Sequence, residues 1–277
     1  MKTIVISNQP GQLANQLIVY ANFIAFCHEH GFTLKNPSFH RYSSYFEFTK
    51  HSHQSKITYK VINYLMRFIY RFRLGNRIIN VVNIGFERKI DLDDPTTLFL
   101  FSDEVLLVAG WQFRGNQTVL KHKKLILEKF TPVAKHKLVI NDFFAKNEMI
   151  GRCVIGIHVR RGDYEKFEGG KYFYDFSVYK NVLSRLDTLF KDKHPIFLIC
   201  SNEPGYEKYF CPNEYPIVFG PNHELQDLYC LAKCNYLIGP PSTYTMWASF
   251  IGDIPLYMMR DSSLKFVEDD FKIINGF

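Results

Sequence analysis

The residues best suited to chemistry are His158-Val159-Arg160-Arg161-Gly162-Asp163-Tyr164, directly after an apolar run, 153–157, that reads as a buried strand. In an open parallel sheet, ligands bind beyond the carboxyl ends of the strands, where this segment must lie. Two arginines followed by glycine suit an anion, because guanidinium forks grip phosphate oxygens in pairs and glycine lets the backbone come close. A surface arginine pair satisfied by carboxylates would explain an isolated Arg-Arg, but not one flanked by His and Asp at the end of a buried strand. A second cluster, Gly239-Pro240-Pro241-Ser242-Thr243-Tyr244-Thr245, ends another apolar run. Backbone N–H groups and hydroxyls at such a helix start bind phosphate, although taken alone the cluster is better explained by plain helix capping. Asp227 reads either as an acceptor for a base or ribose or as a solvated carboxylate on a helix surface.

The elements that must position these residues alternate cleanly. Strands at 153–159, 196–200, 216–219, 235–239 and 254–258 are interleaved with helices near 175–191, 205–210, 223–233 and 243–251. That pattern predicts a parallel sheet covered on both faces. The first half opens in the same style. A strand at 3–7 leads through Gly11-Gln12-Leu13-Ala14-Asn15-Gln16 into a helix that runs to about His30 and stops at Gly31. Two short apolar runs occupy 98–110, and helical patterns follow near 119–130 and 133–148. The sequence therefore predicts an α/β protein of two Rossmann-like lobes facing each other across a cleft. The N-terminal lobe is expected over 1–150, with a basic amphipathic insertion near 50–86, and the C-terminal lobe over 151–277.

Composition narrows the class. With 47% hydrophobic and 22% charged residues among 277, disorder and fibrous architectures are excluded. No apolar run reaches the ~18 residues of a membrane-spanning helix, and polar Ser7-Asn8-Gln9 interrupts the N-terminal run too early for a signal peptide. A cytoplasmic protein is expected. Its six cysteines form no C-x-x-C pair, so disulfides and a zinc site are the weaker readings. The net charge of +7 is local: no acidic residue lies between Glu47 and Glu87, where Lys50, Lys56, Lys60, Arg67, Arg71, Arg73 and Arg77 supply seven positive charges. A nucleic-acid partner is disfavoured. Ile57, Val61, Tyr64, Leu65, Phe68, Ile69 and Phe72 form an apolar stripe flanked by Lys60, Arg67 and Arg71. This helix is expected either to touch an anionic membrane, peripherally on its inner face, or to pack on the N-terminal lobe with its arginines solvated.

His158 to Tyr164 resembles the H-x-R-R-G-D-Y signature of the α-1,2-fucosyltransferases (glycosyltransferase family 11), related to the α-1,6- and protein O-fucosyltransferases. Gly11-Gln12-Leu13-Ala14-Asn15-Gln16 resembles the family's G-G-L-G-N-Q, Gly110-Trp111-Gln112 its G-Y-x-Q, and Ser242-Thr243-Tyr244-Thr245-Met246-Trp247 its S-T-F-S-W-W. Ser201-Asn202-Glu203 resembles the S-D-D that ends a family strand, with both aspartates replaced.

The resemblance implies a GT-B fold, GDP-fucose as donor and inverting transfer to a hydroxyl of an oligosaccharide or lipid-linked glycan, with α-1,2 linkage. It implies no metal or other cofactor; Asp91-Leu92-Asp93-Asp94 has D-x-D spacing but reads as a turn before Pro95. By analogy Arg160 holds the β-phosphate with Arg161 in support, His158 and Asp227 contact guanosine, and Ser242, Thr243 and Tyr244 line the nucleotide. Gly11 and Asn15 fall on the N-terminal loop. The candidates for a catalytic base are Asp163, Glu165 and Glu168, with Glu168 at the spacing an α-1,6 relative uses and Asp163 also suited to orienting Arg160. Transfer from another GDP-sugar, or a non-catalytic sugar-nucleotide or glycan-binding module, are the competing readings.

Overall fold

A computed structural model describes residues 2–50, 56–71, 80–84, 88–101 and 103–277. Contacts divide the chain into two units, Met1–Val133 with Asn275–Phe277, and Ala134–Ile274. The sequence suggested a boundary at 150. The division falls earlier because the helix at 134–146 joins the second unit: Gln226 Nε2 lies 3.1 Å from His136 Nδ1, and Lys233 Nζ donates to Asn141 Oδ1 at 2.9 Å.

In the first unit β1 (Thr3–Asn8) feeds α1 (Leu13–His30), followed by β2 (Thr33–Lys35), α2 (Lys56–Arg71), β3 (Asn80–Asn83), β4 (Ile90–Asp91), β5 (Val105–Ala109), β6 (Phe113–Arg114), α3 (Asn116–Lys121) and α4 (Lys123–Lys129). The main sheet runs β2-β1-β5-β3 and all its pairs are parallel. Helix α1 is apolar around most of its circumference because the sheet side and α3 and α4 cover it together, burying Leu13 through Cys27 with few exceptions. Gly31 ends it in the left-handed region at φ 66°, its N–H donating to Cys27 O. Within the basic segment the described helix covers Lys56–Arg71, and β3 adds a strand beside β5 where only helix was expected. Phe72, Arg73 and Arg77 lie outside the described residues.

The second unit begins with α5 (Ala134–Lys146) and alternates β7 (Val154–Val159), α6 (Phe176–Leu189), β8 (Ile196–Ser201), β9 (Ile217–Phe219), α7 (Glu224–Leu231), β10 (Tyr236–Gly239), α8 (Thr243–Gly252) and β11 (Leu256–Met258). Strand β7 is buried along its whole length, as a central parallel strand covered on both faces must be. The helix expected near 205–210 is a single 3₁₀ turn, Tyr206–Tyr209, and the one expected at 119–130 splits at His122 into α3 and α4. The D-x-D segment is a turn whose carboxylates serve the fold: Asp93 accepts from Gln117 and Thr118 N–H groups at 2.8 and 3.0 Å, and Asp94 from Thr96. All six cysteines are free thiols.

Candidate functional site

The sheet of the second unit runs β9-β8-β7-β10-β11 with every pair parallel. Chain order reverses between β7 and β10, the switch point at which open α/β sheets bind ligands. Both motifs singled out by the sequence leave the sheet there. His158 is the next-to-last residue of β7, two positions before Arg160, and Gly239 ends β10 before the Ser242 cap of α8. The two strand ends are in close contact, since a Cβ on Gly239 would lie 2.9 Å from His158 O.

The two arginines are held differently. Arg160 Nη2 donates to Asp163 Oδ2 at 2.8 Å, and its guanidinium lies 5.4 Å from the centre of the Tyr164 ring. Tyr164 is fixed in turn by its hydroxyl on Pro241 O, which ties the first loop to the second. Arg161 is enclosed by protein. Its Nε donates to Glu203 Oε2 at 2.7 Å, its Nη1 to Tyr174 O, and Phe173 and Phe176 flank the guanidinium at 4.2 and 4.5 Å. Its backbone N–H donates to Asn202 Oδ1 at 3.1 Å, and Asn202 Nδ2 reaches Asp163 Oδ1 at 3.4 Å. Asn202 and Glu203 are thus the brace of the arginine loop, a role the sequence alone did not suggest. Gly162 has φ 38°, and a Cβ there would stand 2.7 Å from Asn202 Nδ2, so the loop needs glycine at this point.

Beside this loop lies a cluster of buried polar groups. The His158 ring, 3% exposed, stacks on Tyr244 at 4.9 Å between centroids. Burial, helped by the Arg160 charge, lowers the His158 pKa to about 3, so the ring is neutral at physiological pH. Asp227, 6% exposed on α7, is no solvated surface carboxylate: burial raises its pKa to about 7 against the pull of the His223 and Asn222 N–H groups. His158 Nδ1 and Asp227 Oδ1 are both buried without a hydrogen-bond partner among the described residues. Buried polar atoms are rarely left so, and both of these residues lie near Tyr244. Tyr244 is anchored by its hydroxyl on Glu224 O at 2.8 Å, and Ser242 Oγ accepts from Tyr244 N at 3.2 Å as the cap of α8. Thr243 is the first helical residue, partly exposed.

Glu165 and Glu168 are exposed on the loop after the arginines. Glu168 adopts φ 46°, followed by Gly169 and Gly170 at 67° and 82°. A non-glycine residue in the left-handed region is uncommon and costs about 1–2 kcal/mol. Gly11 and Asn15 belong to the first unit, where the carboxyl ends of β1 and β5 form that sheet's own switch point. Gly11 has φ 90°, and a Cβ on it would collide with Asn15 at 2.2 Å. A buried amide network fixes this loop: Gln9 Nε2 donates to Gln16 O at 3.1 Å, while Asn36 and Ser38 both donate to Gln9 Oε1 at 3.0 Å. The sequence reading missed it, although polar Gln9 and Gln16 at the edges of apolar runs were its visible trace. Among the described residues, no group of three or more His, Cys, Asp or Glu is arranged to hold a metal ion.

No family model matches the chain, and no curated protein sequence does. Solved structures do. A point mutant of Arabidopsis thaliana FUT1 in complex with GDP superposes with a TM-score of 0.63 at 13% identity, over 93% of this chain and 70% of that one. The α-1,6-fucosyltransferase NodZ soaked with GDP-fucose gives 0.59 at 16% identity, over 98% and 97%; NodZ structures from Bradyrhizobium behave alike. POFUT1 in complex with GDP gives 0.54 at 11% identity, over 91% and 95%. The protein has the mixed α/β, parallel-sheet fold of these fucosyltransferases, as the sequence led one to expect.

Proposed function

We propose that the protein transfers fucose from GDP-fucose to a hydroxyl of a glycan acceptor, with inversion at the sugar carbon and without a metal ion. The observation that carries this reading is the Arg160–Asp163 loop at the switch point beside two buried polar atoms, His158 Nδ1 and Asp227 Oδ1, that lack a hydrogen-bond partner among the described residues. A diphosphate suits the first and a nucleobase the second. The fold shared with structures that contain GDP or GDP-fucose supports the choice of nucleotide. The α-1,2 linkage rests on the motif resemblance.

In this reading the Asp227 carboxylate accepts from ring and amino N–H groups of guanine, and neutral His158 supplies a second hydrogen bond beside it. Arg160, oriented by Asp163, takes the β-phosphate. When the bond from fucose to the β-phosphate oxygen breaks, negative charge collects on that oxygen and positive charge on the sugar ring. A preorganised guanidinium binds the separated charge better than the ground state, which is the source of rate. Arg161 acts from behind, holding the loop on Glu203 and Asn202. The acceptor hydroxyl attacks from the opposite face, and Glu168 takes its proton. Asp163, committed to Arg160, serves orientation.

Incubation with GDP-fucose and no acceptor tests the reading. Slow release of GDP supports it. Tight binding with no release would make the protein a binding module, and no binding at all would sink both.

A further inference from the structure

Helix α2 has one face spoken for and one face open. Tyr59 stacks on His40 at 4.7 Å, and Ile62 packs with Val81 against Val5 and Leu107, so the inner face rests on β1 and β5. Ile57, Val61, Tyr64, Leu65 and Phe68 remain between 45% and 74% exposed. Single exposed hydrophobic residues are ordinary, but five at helical spacing on one face are a patch. At about 100° per residue these positions fill one sector of the helix, and positions 56, 60, 67 and 71 all fall on the same flank of it. Those positions are Lys56, Lys60, Arg67 and Arg71, and the helix has no acidic residue.

We propose that α2 lies in the interface of a bilayer containing anionic lipid, its apolar stripe in the headgroup boundary and its basic flank against lipid phosphates. An apolar stripe edged by cations is the pattern of interfacial helices, and Tyr64 at its middle suits the headgroup level. Its sixteen described residues make about 24 Å, short of a hydrocarbon core of about 30 Å. No helix among the described residues is long and apolar enough to cross a membrane. A second copy of the chain fits less well, because docking stripe to stripe brings basic flank towards basic flank with no carboxylate on either helix. The inference is independent of the transferase reading.

Flotation of the full-length protein decides it, using phosphatidylcholine vesicles with and without one-third phosphatidylglycerol. At low salt the anionic vesicles should retain the protein at least tenfold better than the neutral ones, and retention should fall as salt rises. Tyr64→Ser/Phe68→Ser should abolish retention, and Lys60→Glu should lower it by about fivefold or more, at about 1 kcal/mol per cation. These residues are solvent-facing, so unchanged circular dichroism is expected for each variant. Wild-type protein left unretained by anionic vesicles at low salt overturns the proposal. So does a dimer in light scattering that Tyr64→Ser/Phe68→Ser dissociates while vesicles retain nothing.

Discussion

Replacing Asp227 by Asn separates what the folded protein wants from what its ligand wants. Asp227 is almost fully buried, and its pKa stands at about 7 against an ordinary 3.8 because burial disfavours the charged form. A carboxyl with a raised native pKa binds its proton more tightly when folded, so its contribution to stability is present at low pH and is lost as pH climbs from about 4 through 7. At about 1.4 kcal/mol for each step of one in pKa, ionised Asp227 costs the fold about 4 kcal/mol at pH 8. Asp227→Asn keeps the shape and removes that charge. The variant should therefore melt about 10 °C above wild type at pH 8, with the gap closing towards pH 5. Its GDP affinity should drop about ten- to a hundredfold, the worth of hydrogen bonds to a charged acceptor. Wild-type GDP affinity should itself weaken below pH 7 as the carboxyl takes up its proton, and the variant's should not. Thermal unfolding from pH 5 to 9 beside GDP titration calorimetry reads both. A variant less stable than wild type at pH 8, or one that binds GDP with the wild-type pH profile, would refute the reasoning.

Further outcomes follow from the loop geometry. Gly162→Ala must push Asn202 aside and hold alanine at φ 38°, so turnover of GDP-fucose should fall by tenfold or more while the melting temperature drops only a few degrees. Glu203→Ala strips the shielded Arg161 guanidinium of its carboxylate and should cost about 1–3 kcal/mol, read by denaturant unfolding. Glu168→Gln should lower transfer by about 10²–10⁴ with GDP binding unchanged; near-normal turnover in a coupled GDP-release assay would remove Glu168 as the base.

Much of the second unit was legible because its signals are strong. Buried parallel strands such as Val154–Val159 are nearly continuous apolar runs, and most of them alternate with helices. The first unit was less legible where elements are short. Strands of two to four residues, β2, β3, β4 and β6, carry too little pattern to stand out, and they exist because a neighbouring strand offers an edge. The boundary near 150 was misread for a related reason: α5 is amphipathic either way, and only its contacts with Gln226 and Lys233 assign it to the second unit. In the site, the arginine pair was visible from its neighbours in sequence. The brace from Asn202 and Glu203 was not, since it joins residues about 40 apart along the chain, and neither was the burial of Asp227, which depends on what covers α7.

The central claim is that Arg160, at the switch point, stabilises the charge that grows on a departing diphosphate. The direct test is GDP-fucose turnover and GDP affinity measured side by side for wild type, Arg160→Lys and Arg160→Ala. Lysine offers a point charge where the guanidinium offers a fork, so Arg160→Lys should lose far more in turnover than in GDP affinity. Arg160→Ala should lose about a hundred- to a thousandfold or more in turnover, corresponding to roughly 3–4 kcal/mol, with folding intact. An Arg160→Ala protein that still turns over GDP-fucose at the wild-type rate would contradict the account.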